Sequence, residues 1–266
     1  MYKLSKSNKE KISRKEEELF VKNCNKILVS LENKCQCYNR ANFPSNNIKQ
    51  CIKYRKTKVC QDYNLCKKYF YSKMNGYEPK YNPSPWENPV ILNSHNCYTY
   101  FLNDHNEMTI SRCNKICKKN NTCKSQPKKC SELKPQPGYF SHYLKSKKAQ
   151  VNSFNCKNMI HNIISDNPSI KQTTFYDKCP NGYYKGALVT ETDETYHFYR
   201  QDNNVLWSHK PGILKVTNID ASNKIIYAPH LADTDYKKGQ KVGINYNEFC
   251  SYFCVPSNYF KKTFSI

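Results

Sequence analysis

The sequence predicts an α+β fold: a helix headed by a cysteine packs on an antiparallel sheet, and a cysteine-rich helical accessory region precedes it. Three observations lead there. Apolar residues near the start of the chain recur at helical spacing. Three β-rich runs in the last third are separated by polar turns. The composition, 38% hydrophobic and 14% aromatic with 22 Tyr and 12 Phe, supplies enough large side chains for a core. Seven Gly are too few for a fibrous protein, and no segment approaches the roughly 18 uninterrupted apolar residues of a membrane span.

From about Asn8 to Asn33, Ile12, Leu19, Phe20, Ile27, Leu28 and Leu31 fall at near-helical spacing among charges, which predicts an amphipathic helix. The stretch that follows, with Cys35, Cys37, Cys51, Cys60 and Cys66, is basic and poor in apolar residues, so it needs bridges to hold a shape. Residues 1–75 form the accessory region. Gly76 to Pro89 carries Pro79, Pro83, Pro85 and Pro89, an ordered linker in which each ring fixes φ and removes a donor. Cys97 to Leu102 opens a short helix, with Ser94 or Asn96 near its N-cap. A basic insert, about 111–134, holds Cys113, Cys117, Cys123 and Cys130 and runs into a turn at Leu133 to Gly138. Phe154 to Ile164 reads as a further helix. Residues 186–190, 195–200 and 205–209 then read as a meander, and Lys215–Thr217 with Lys224–Tyr227 as another hairpin. Residues 76–266 form the main domain.

Forty-three Lys+Arg against 21 Asp+Glu give +22, a field that attracts an acidic macromolecule such as a capsid protein lattice or nucleic acid. Fifteen cysteines at irregular spacing suit disulfides better than a metal. The charged first residues, MYKLSKSNKEKISRKEEE, lack the apolar core of a secretory signal. Either the chain is a mature form, or it acquires its bridges without the secretory route, as inside a virus particle, or many thiols stay reduced. An odd count leaves one thiol over, and Cys97 is a candidate for it.

A thiol becomes a nucleophile when a helix N-terminus or a neighbouring imidazole favours its thiolate. Cys97 is placed for the first effect; His197 and His209, on successive runs of the meander, are placed for the second. NCYTY (Asn96–Tyr100), KPQPG (Lys134–Gly138), YHFYRQD (Tyr196–Asp202), WSHKPG (Trp207–Gly212), VTNID (Val216–Asp220) and FCSYFCVP (Phe249–Pro256) occur together. The set resembles a largely uncharacterised family of bacterial and large-DNA-virus proteins with the pattern NCYxYA, QPG, HxYR and WSHKPG. That family is similar in layout to papain-like cysteine peptidases and amidases of the NlpC and CHAP types. The resemblance covers about residues 76 to 257. It implies a papain-like cysteine hydrolase of amide bonds, with Cys97 as nucleophile, His197 as base, His209 as its orienting partner and a peptide or amide as substrate. It implies no cofactor and no metal. The GYEP and FCVP flanks and the Lys/Asn-rich composition look like the viral members, hence a location in a virion or virus factory. Phe101 and Leu102 depart from the small residue often found after NCYTY, and the insert is longer.

Each residue also has a second reading. Cys97 could be a half-cystine, His197 a core histidine, His209 an exposed neighbour of Lys210. Arg200 is a candidate to hold a substrate carboxylate or else pairs with Asp202. Gln136 is a candidate oxyanion donor or else shapes the turn. Cys24, Cys35 and Cys37, or Cys250 and Cys254, lack the CxxC spacing of a zinc site. Aromatic and basic residues interleave around Lys53 to Tyr71 without forming a recognised nucleic-acid module. Two functions from other classes stay open: a basic structural component of a virus particle, capsid or matrix, on the same scaffold, and a nucleic-acid-packaging protein.

Overall fold

The structure is a computed structural model that describes residues 13–35, 56–120, 130–143, 154–237 and 243–257. The chain divides into two units, Met1–Tyr69 and Phe70–Ile266, inside a helix and ahead of the boundary expected at 75/76.

In the first unit, α1 (Arg14–Cys35) buries Val21, Cys24, Leu28 and Cys35, one stripe at helical spacing. The sequence placed Leu19 on the apolar face. It is 51% exposed, because the bridge at Cys24 selects the stripe that starts at Val21. The cysteine-dense stretch contains α2 (Lys58–Ser72), a helix that its basic and aromatic residues concealed. Disulfides join Cys24 to Cys66 and Cys35 to Cys60, and hydrogen bonds join Glu17 to Tyr69 and Glu32 to Tyr63. The pairing runs in opposite directions along the two helices, so this is an antiparallel helical hairpin.

The second unit is an α+β domain built on a five-stranded antiparallel sheet in the order β1-β5-β2-β3-β4. The strands are β1 (Lys171–Thr173), β2 (Tyr183–Glu191), β3 (Thr195–Gln201), β4 (Trp207–Ser208) and β5 (Glu248–Pro256). The expected meander is β2-β3-β4, with Val189 opposite His197 and Arg200 opposite Ser208. The hairpin expected at 215–227 reduces to isolated bridges, His209 with Thr217 and Ile219 with Ile225. The Asp220 carboxylate takes the backbone N–H groups of Ser222, Lys224 and Asp233, and this local turn displaces a ladder.

Before the sheet run α3 (Pro89–Ser94), α4 (Cys97–Phe101), α5 (Glu107–Asn120), α6 (Tyr139–Tyr143) and α7 (Cys156–Asp166). Tyr98, Phe101 and Leu102 of the α4 region, with Met159 and Ile163 of α7, pack on Tyr184, Leu188, Tyr196, Phe198, Phe253 and Val255 of the sheet. Phe101 presses onto β2 at Gly186, where a Cβ would lie 2.1 Å from the ring, so glycine is required. The opposite face of the sheet carries His197, Tyr199, Trp207 and Tyr252 and is also buried. Cys156–Cys250 fastens α7 to β5, Cys179–Cys254 fastens the approach to β2 to β5, and Cys113–Cys130 closes the insert. Among the described residues, no helix is long and apolar enough to cross a membrane.

Candidate active site

Asn96 caps α4. Its side chain accepts from the Thr99 N–H at 3.1 Å, and the Thr99 hydroxyl accepts from the Asn96 N–H at 3.0 Å, a reciprocal capping box. The Asn96 amide also donates to Pro135 O at 2.8 Å, which ties the cap to the KPQPG turn. Asp166 holds the other side of that turn: it accepts from the Tyr98 hydroxyl and from the N–H groups of Gly138 and Ser141. Replacing Thr99 by Val keeps the shape and strands the buried Asn96 N–H. A loss of about 1–2 kcal/mol is expected in urea unfolding.

Cys97 occupies the first position of α4. Among the described residues it is the one cysteine outside a disulfide. It is 6% exposed. Burial pushes its thiol up to about 11, while the Phe198 backbone N–H and the Lys210 charge pull the other way. At neutral pH Cys97 rests as a thiol.

His197 and His209 meet. His197 Nε2 lies 2.7 Å from His209 Nδ1, and His209 Nε2 lies 2.9 Å from Ile219 O. Burial holds His197 well below the ordinary imidazole value and His209 at about 4, so both rest neutral. The network then assigns the protons. A carbonyl only accepts, so His209 carries its proton on Nε2 and offers the Nδ1 lone pair, and His197 donates from Nε2. His197 Nδ1 is therefore left with a lone pair, the atom a base would use.

Alternation along β3 places Phe198 with Cys97 in the helix-side core and turns His197 to the opposite face, against Tyr199 and His209. No hydrogen bond joins Cys97 to His197 in this arrangement, where the sequence reading expected them within reach. The two share neighbours instead. The Cys97 sulfur sits at the N–H of Phe198, the residue after His197. The Tyr246 ring stacks on His197 at 5.2 Å and 24° and also feels the charge of Cys97. Lys210, next to His209, feels it too.

The other candidates separate. Gln136 is half-buried; its Oε1 accepts the Tyr196 hydroxyl, and its Nε2 donates to Lys134 O at 3.2 Å, which shapes the turn. Tyr196 feels Cys97, so this turn lies on the thiol's side. Arg200 is 1% exposed and its donors are spent: Nε and Nη2 on Asp202, Nη1 on Asn103 and Tyr100 O, Nη2 on the Tyr100 hydroxyl. It stands over the Tyr100 ring at 3.9 Å and has no N–H to offer a substrate carboxylate. The zinc candidates Cys24, Cys35, Cys250 and Cys254 are all bridged, and Cys37 lies outside the described residues. Cys113, Cys117 and Cys130 cluster within 4.8 Å, but all three are disulfide-bonded and provide no thiolate for a metal.

Sequence reasoning passed over Lys210, Tyr196 and Tyr246. Lys210 was within sight as the fourth residue of WSHKPG; Tyr246 carries no local signal.

No family model matches the chain, and no solved structure matches it. Over 47 residues the chain is 51% identical to Insoluble matrix shell protein 1 of Ruditapes philippinarum, a stretch that covers 18% of this chain and 32% of that protein. The chain thus spans about a third of the length of the curated relative it matches.

Proposed function

We propose that the second unit is a papain-like cysteine hydrolase of amide bonds. One observation carries the reading: of the described cysteines, Cys97 alone escapes oxidation, and it does so at the head of a capped helix, with its sulfur at the N–H of Phe198, the residue after the buried, tautomer-fixed His197. Burying two imidazoles is costly, and a core with no chemical task has better fillers. Cys97 Sγ attacks the carbonyl, His197 Nδ1 takes its proton and returns it to the leaving amine, and His209 holds the tautomer and stabilises the imidazolium. The resting pair is neutral, so the proton moves only as attack begins. At rest the two groups face opposite sides of β3, so the transfer requires a local rearrangement of β3 that turns Nδ1 toward the thiol. The substrate is a peptide or amide.

A fluorogenic peptide-amide library tests this. Turnover should fall at least about a thousandfold in Cys97→Ser, with a nearly unchanged melting temperature. Wild-type turnover equal to that of Cys97→Ser would count against the enzyme.

A second reading is a bridge-stabilised, non-catalytic matrix component. The local identity with a shell matrix protein favours it, as does the density of disulfides. Both observations favour an oxidising extracellular setting over a virion or virus factory. In that setting the net charge of +22 would recruit an acidic macromolecule; nucleic acid is the third and least supported partner.

A further inference from the structure

Lys210 is fully buried, which is rare for a lysine. Its Nζ donates to three backbone carbonyls: Leu92 at 3.0 Å, His95 at 2.9 Å and Gly212 at 2.6 Å. Leu92 lies in the last turn of α3 and His95 is its C-cap, where unpaired carbonyls await a cation. Asn96 and Cys97 follow directly. The other end of the side chain belongs to the residue after His209. One ammonium therefore joins the chain entering the thiol to the chain leaving the imidazole pair.

Three acceptors match the three N–H bonds of an ammonium, whereas a neutral amine offers two and would turn its lone pair on a carbonyl. Burial and the like charge of Lys134 draw Lys210 down to about 7, and Cys97 acts the other way. The carbonyl nest decides for the charged form. The titratable groups facing this charge are Cys97, Lys134 and His95, with Tyr196 and Tyr246 on the far side of the sulfur. Burial keeps His95 near 4, so it is neutral and brings no competing charge.

We propose that Lys210 is the positioning residue of the Cys97 site, an ammonium that seats the Asn96–Cys97 segment against the His209 end of the sheet and stabilises the thiolate when it forms. The functional consequence rests on the reading of Cys97 as nucleophile; the coupling between the two side chains does not.

The test is the titration of Cys97 in protein carrying 13C at cysteine Cβ, read by NMR in wild type, Lys210→Met, Lys210→Arg and His197→Ala. Lys210→Met keeps the length of the side chain and removes the charge. Its Cys97 midpoint should rise by at least one pH unit, a tenfold loss of thiolate at any lower pH, or leave the accessible range. Lys210→Arg should restore most of the shift, which a merely structural role would not predict. Should Lys210→Met fail to fold, the conservative Cys97→Ser variant reads the same coupling from the other side. The Lys210 Cε resonance should then titrate lower than in wild type, because coupling is reciprocal. Superimposed titrations in wild type and Lys210→Met, or an unmoved Lys210 in Cys97→Ser, would overturn the assignment. A Cys97 midpoint that moves in Lys210→Met but not in His197→Ala would uphold Lys210 and sink the Cys/His pair.

Discussion

Removing Cys156–Cys250 or Cys179–Cys254, each by paired replacement of its cysteines, is expected to cost the second unit about 4 kcal/mol. The bridges span 94 and 75 residues. Closing so long a loop removes more entropy from the unfolded chain than the span of 17 at Cys113–Cys130, for which about 3 kcal/mol is expected. Both long bridges end on β5, which inserts between β1 and β2 after a long excursion from β4. Without them β5 is held by its ladders to β1 and β2 and by side-chain packing, and the sheet's central pairing with β2 depends on its insertion. Urea unfolding of each paired variant measures the loss. A transition midpoint unchanged from wild type would show that strand insertion holds without the bridges.

β2 and β3 could be read from sequence because their apolar runs end at polar turns, Glu191 to Glu194 and Gln201 to Asn204. β5 escaped although FCSYFCVP was visible as a motif. Its residues from Ser251 to Val255 are buried on both faces, so it lacks the alternation that announces a strand, and its partners are remote in sequence. β1 escaped for the opposite reason, as a three-residue edge with exposed Lys171 and Gln172. In α1 the periodicity gave the helix and the buried Leu28, but it also placed the exposed Leu19 on the apolar face and left out Val21 and Cys24. The choice between faces was made by Cys24 and its distant partner Cys66, which no local pattern contains.

At the site, local chemistry was readable and depth was not. The cap at Asn96 and the spacing of His197 and His209 follow from motifs. That Arg200 would spend every donor on Asp202, Tyr100 and Asn103 depends on a helix some hundred residues earlier in the chain, and two of these partners are on it or just beyond it. Lys210 was visible only as the neighbour of His209; the fold brings three carbonyls to it.

The largest effect on reactivity is expected from His197→Ala, and the alkylation rate of Cys97 by iodoacetamide, followed by peptide mass, measures it. On the proposed mechanism the neutral His197 Nδ1 takes the thiol proton as sulfur attacks the iodoacetamide carbon and iodide leaves, which offsets the burial that holds the thiol near 11. Burial keeps His197 well below the ordinary 6.5. Its lone pair therefore persists as pH falls through that value, and the wild-type rate should not collapse there. Without the imidazole, labelling should slow about a hundredfold or more at neutral pH, with the disulfide pattern intact. The account predicts wild-type Cys97 labelling faster than a free cysteine and His197→Ala labelling far slower. Equal rates in the two proteins, or a wild-type Cys97 no faster than a free cysteine, would contradict it and leave the matrix component as the better reading.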